Sequence, residues 1–160
     1  MAWTSPRTWV AGEVPTAAIF NTHVRDNFKA IGDAWTSYTP ALTGWTLGNG
    51  TLTGYYISAG KSILATKVLY TVGSTDTKSG APVFSLPVTK VADLAGFILG
   101  QASLFDTSGS VRAYRNVIQS GTTSTVFVAA DDDTRLSPTA PWTWATGDQI
   151  MLNIGPYEAV

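Results

Sequence analysis

The sequence predicts a mostly β protein: an antiparallel β-sandwich head with jelly-roll-like connections, preceded by an N-terminal arm and one amphipathic helix. Three observations carry this expectation. Short runs rich in Thr, Val, Ile and Tyr alternate with turn signals at the spacing of a sandwich or barrel. A single long stretch has helical period. Only 13% of the 160 residues are charged, about half the usual share for a soluble domain, so Thr, Ser, Asn and Gly must wet the surface. The length suits one hydrophobic core.

Residues 1–14 (MAWTSPRTWVAGEV) place Trp3 and Trp9 around Pro6 and ahead of Gly12 without clear period, which reads as an extended arm. Aromatics in so irregular a segment either dock into pockets elsewhere or fold back onto the chain's own core. Residues 15–34 form the helix: Phe20, Val24, Phe28 and Ile31 recur at spacings of four, four and three and line one face. Pro15 suits the first turn and Gly32 a left-handed exit. That apolar stripe needs a surface to cover it, either the rest of the chain or identical helices in an oligomer.

Residues 35–160 form the head. TPALTGWTL, TLTGYYIS and SILATKVLYTV are separated by Gly48-Asn49-Gly50 and Ala59-Gly60-Lys61, and each neighbouring pair is expected to make a hairpin. Leu64, Thr66, Val68, Tyr70 and Val72 alternate with Lys67 and Thr71, giving one buried and one wetter face. Residues 73–80 read as a polar loop, and PVFSLP as a short edge strand fenced by Pro82 and Pro87. ADLAGFILGQASLF turns at Asp106–Gly109 into VRAYRNVIQ, Ser120-Gly121-Thr122 leads to STVFVAA, and a last pair of strands carries Ile150, Leu152 and Ile154 in phase. About eight strands are expected.

Ten basic and eleven acidic residues without a Lys/Arg cluster leave no electrostatic footprint for nucleic acid or an anionic membrane. No window approaches the length of a membrane-spanning helix, and the N-terminus lacks the basic and apolar regions of a signal peptide. The absence of cysteine removes disulfides, thiol catalysis and Cys-based zinc.

Catalytic parts are scarce. His23 is the one histidine, with no metal-ligand spacing around it, and reads as a polar-contact residue. No hydrolase, zincin or nucleotide-binding string occurs, and no cofactor is expected. Asp131, Asp132 and Asp133 could hold a calcium ion if backbone carbonyls completed the shell, but consecutive acids lack the spaced pattern of a calcium loop and read first as a solvated loop. Glycoside hydrolysis would need two of Asp106, Asp133 and Glu158 at a fixed separation. The aromatics offer sugar-stacking faces, with Trp142, Trp144, Tyr55 and Tyr114 as candidate carbohydrate-binding residues.

IFNTHVRDNFKAIG, preceded by TWVAGEVPTAA, resembles the N-terminal module of tail-associated virion proteins of phages that infect actinobacteria and other Gram-positive hosts. Asn21, Val24, Arg25, Asp26 and Asn27 match that module's acceptor-helix pattern. PWTWATGDQIMLNIGPYEAV is similar to the closing strands of minor tail and tail-fibre heads, and SYTPALTGWTLGNGTLTGYYISAGKS to their opening hairpins. The chain departs from a typical fibre in having no long shaft, collagen-like run or heptads. The resemblance implies a homotrimer on the virion exterior, attached to other virion proteins through Trp3, Pro6 and Trp9. Its oligomerisation helix would use Phe20, Val24, Phe28 and Ile31, and its heads would bind host-surface polysaccharide without nucleic-acid or membrane partners. A capsid decoration protein is the alternative, and an enzyme acting on cell-wall glycan the third reading.

Overall fold

A computed structural model describes residues 4–5, 7–31, 35–60, 62–89, 96–120, 124–130 and 134–159. Thr16 caps the helix, its hydroxyl accepting from the Ile19 amide at 3.3 Å, so helical geometry begins two residues after Pro15. It runs through α1 (Ala17–Phe20), a π-helical turn (Asn21–Arg25) and α2 (Asp26–Ile31). The π turn, which the apolar spacing did not announce, inserts a wider turn in the middle of the stripe.

Ten strands follow among the described residues: β1 (Thr36–Tyr38), β2 (Leu42–Thr46), β3 (Thr51–Ala59), β4 (Ser62–Thr71), β5 (Thr77–Ser85), β6 (Ile98–Asp106), β7 (Val111–Gln119), β8 (Thr125–Val128), β9 (Gln149–Ile154) and β10 (Tyr157–Glu158). The chain is therefore mostly antiparallel β, as predicted. In place of two separate sheets, all ten strands share one sheet in the order β1-β3-β4-β9-β6-β7-β8-β5-β2, with β10 beside β4. That sheet curls on itself. Trp45 of β2, at one end of the order, packs its ring 5.9 Å from Tyr70 of β4, and Tyr70 lies 6.4 Å from Phe84 of β5.

The curl encloses a core of alternate residues: Val68 and Tyr70 of β4, Ile150, Leu152 and Ile154 of β9, Ala102 and Leu104 of β6, Val117 of β7, Val126 and Val128 of β8. The β3–β4 and β6–β7 hairpins form as expected. Two other pairings differ from the sequence reading. β2 pairs with β5 and not with β3, and β10 pairs with β4 and not with β9.

The reason for the first difference lies in two loops. Gly48-Asn49-Gly50 makes no tight hairpin because its backbone is bound to the loop after β4. The Asp76 carboxylate accepts from the amides of Gly48 (2.8 Å), Gly50 (3.0 Å) and Gly73 (2.8 Å) and from the Tyr70 hydroxyl (2.6 Å). The Asn49 amide group bonds in turn to Thr75 and Ser74. This latch sends the chain from one wall of the curl to the other.

β5 begins at Thr77, inside the stretch expected to be loop, and carries Pro82 within it. Proline is accommodated because the β2–β5 register shifts between Thr43 and Trp45, facing residues that need no ladder hydrogen bond. At that bulge Gly44 has φ +80°, and a Cβ there would run into the Ala81 carbonyl. Gly44→Ala should therefore destabilise the head by about 2 kcal/mol or more. Urea denaturation would read this as a lower midpoint at unchanged slope.

Candidate functional site

Strand alternation turns the odd-numbered residues 51–55 of β3, 67–71 of β4, 101–105 of β6 and 149–153 of β9 outward, and the register aligns them in rungs across five strands. One rung runs Tyr55, Lys67, Asn153, Gln101, Asn116, and the next Thr53, Leu69, Met151, Ser103, Tyr114. A third runs Thr51, Thr71, Gln149, Phe105, Arg112. Between Tyr55 and Tyr114 the outer face holds an open depression of about 540 Å³, floored by Leu69 and Met151. Both tyrosines are solvent-facing, at 46% and 70% exposure.

Such a face suits a ligand with apolar ring faces and hydroxyl edges. The tyrosine rings offer stacking surfaces, while the Asn153 and Gln101 amides and the Ser103 and Thr53 hydroxyls supply donors and acceptors. Two cations stand on it, each held by an aromatic ring: Lys67 Nζ lies 4.7 Å from the Trp35 ring and the Arg112 guanidinium 4.2 Å from Phe105. The three rungs carry no carboxylate.

Of the four aromatics predicted to meet sugar, the structure brings Tyr55 and Tyr114 to this groove. It places the other two elsewhere. Trp144 is 5% exposed, meets Trp45 edge-on (5.5 Å) and Trp142 at a tilt (5.3 Å), and its indole N–H donates to the carbonyls of Ser137 and Ala140. Trp142 is half-buried beside it and packs against the core. So deeply buried, the Trp144 indole is no stacking platform for a ligand. Lys67, Gln101, Met151 and Asn153 were not singled out by sequence reasoning. The alternation in β4 did mark Lys67 as outward, but which strands flank it depends on pairing that local pattern does not encode.

The N-terminal segment forms a second feature. Asn27, 5% exposed, clamps the arm: its amide oxygen accepts from Thr4 N–H (3.0 Å) and its amide nitrogen donates to Thr4 C=O (2.8 Å). His23 Nδ1 lies 3.2 Å from the Ser5 carbonyl. Arg7 pairs with Glu13 at 2.7 Å and covers Trp9. The predicted stripe does not turn inward. Phe20 is 51% and Phe28 72% exposed, Val24 is half-buried, and the helix buries Asn27 instead. Trp9 is exposed; Trp3, Pro6 and the Ile31 side chain lie outside the described residues.

The carboxylates show other work. Asp106 accepts from the Gly109 and Ser108 amides and the Ser108 hydroxyl, and these bonds hold its carboxyl below the usual range. Glu158 lies on β10. Asp131, Asp132 and Asp133 lie outside the described residues, and no group of three metal-ligating side chains occurs among those described. No described helix is long and apolar enough to cross a membrane. No protein-family model, curated protein or solved structure matches this chain.

Proposed function

We propose that this protein is a tail-associated structural protein of a bacteriophage virion, whose β-head binds host-surface polysaccharide and whose arm and helix attach it to the virion and to its own copies. The observation that carries the binding role is the outward groove between Tyr55 and Tyr114, with amides and hydroxyls between two stacking rings. The assembly role draws support from Phe20 and Phe28, which stay exposed on a helix too short to be stable alone in water. Identical helices in a homotrimer would cover that stripe, and threefold presentation would multiply weak sugar affinities through effective concentration. The phage assignment itself comes from the likeness of the arm, acceptor helix and closing strands to tail proteins.

Purified protein should bind host cell walls, and Tyr55→Ala with Tyr114→Ala should weaken that binding roughly tenfold at unchanged melting temperature. Sedimentation should give a trimer that falls to a monomer in the Phe20→Asp, Phe28→Asp variant. Imaging of the virion decides location: threefold density at the tail supports the reading, whereas density over the capsid surface replaces it with a decoration role.

A further inference from the structure

We infer that the groove selects an acidic polysaccharide, a chain bearing carboxylate or phosphate groups, laid across the strands with an anionic group near each of Lys67 and Arg112. This rests on the polysaccharide-binding reading above and adds the charge and direction of the ligand. The direction follows from the rungs. Tyr55 on β3 and Tyr114 on β7 stand four strand spacings apart, roughly 19 Å, and one rung apart along them, so stacking on both rings requires an extended ligand running obliquely across the strands.

The charge follows from where the acids are absent. The chain has eleven acidic residues against ten basic and a net charge of −1, yet the three outward rungs bear two cations and no anion. Among the described residues, Asp76, Asp106 and Asp148 are engaged in loop hydrogen bonds, Glu13 with Arg7 and Asp26 with Arg25. Lys67 and Arg112 rest on aromatic rings and not on carboxylates. A ring contact orients a cation without neutralising it, so both charges remain available to a ligand. Their placement at opposite corners of the face, roughly 14 Å apart across the strands and two rungs, roughly 13 Å, apart along them, suits charges repeated along a polymer better than one small anion.

The test measures binding of the intact protein to three polymers, dextran (neutral), polygalacturonate (carboxylate) and poly(glycerol phosphate) (phosphate), at low and high salt. At least one acidic polymer should bind tenfold or more tighter than dextran at low salt, and the stronger of the two identifies the anionic group. Lys67→Met with Arg112→Met keeps side chains that pack on Trp35 and Phe105. That variant should lose the preference and its salt dependence, and Lys67→Glu should reverse the preference. Equal binding of all three polymers by the parent, or an unchanged preference in the Met variant, overturns the acidic selection and leaves the groove reading standing. Binding of no polymer, or binding indifferent to Tyr114→Ala, overturns the groove reading with it. A change in sedimenting mass on Tyr114→Ala would instead assign the face to contacts between copies and overturn both.

Discussion

Replacing Asp76 with alanine should lower the melting temperature by roughly 10 °C. Its carboxylate is the shared acceptor for three backbone amides and the Tyr70 hydroxyl, and alanine leaves all four donors without it. Each buried donor left unpaired costs about 1–3 kcal/mol, although the two amides nearest the surface recover part of this from water. Asp76→Asn, which keeps one carbonyl oxygen but adds a donor facing the amides, should fall between the parent and the alanine variant. The same residue gives stability a pH signature. Burial pushes the Asp76 carboxyl up, but the Gly73 amide, the Tyr70 hydroxyl and the Gly48 and Gly50 amides together outweigh burial and hold it below the usual range. A carboxyl lowered by folding binds fewer protons in the native state. Its stabilisation is present above the unfolded value of about 3.9 and is lost as pH falls through the lower folded one. Melting curves between neutral pH and pH 2 should show the parent losing stability in acid more steeply than Asp76→Ala; parallel curves would refute the assignment. The effect on Tyr70 runs the other way: burial, then the Asp76 hydrogen bond and its charge, push the phenol far above its ordinary value.

Trp144→Ala should be about as damaging to the fold, at about 3–5 kcal/mol, and harmless to ligand binding by whatever protein remains folded. The indole bridges the Trp45 and Trp142 rings and ties its N–H to two carbonyls, so truncation opens a cavity and leaves the Ser137 and Ala140 carbonyls only their mutual backbone bonds. The Tyr55→Ala, Tyr114→Ala protein is the mirror case, stable and weakened in binding. Running both variants through the same melting and cell-wall assays separates core aromatics from surface ones. Loss of wall binding by folded Trp144→Ala would place a ligand site on the tryptophans.

These contrasts mark what was legible in the sequence. Alternation in β9 and the second half of β4 is local and strong, so the inward faces of Val68, Tyr70, Ile150, Leu152 and Ile154 could be read directly, whereas Leu64, expected on the same face, is exposed and Ile63 buried because the β3–β4 register shifts there. The helix was visible from its period, and its cap from Thr16 only in the structure. Residue type alone could not tell Trp144 from Tyr114, since aromatics serve cores and ligand sites alike. In β7 the phase was blurred because Arg115 shares the inward parity of Val117. Pairings such as β2 with β5 depend on contacts between distant segments, which periodicity does not encode. The burial of Asn27 was hidden for a related reason: an amide in a helix reads as solvated until a backbone segment arrives to occupy both its groups.

The position of β9 also governs how the protein is made. Residues 149–154 sit in the middle of the sheet between β4 and β6, yet they are synthesised after every other strand of that sheet but β10. Until then β4 and β6 present open edges, long and rich in β-formers, with nothing to pair them. The head cannot close during synthesis strand by strand; it waits for β9 and then closes through non-local pairing, a slow class of folding reaction. A nascent or truncated chain ending before residue 149 would have the surface of an aggregating peptide, so the arrival of β9 is the step that commits the head to its native state.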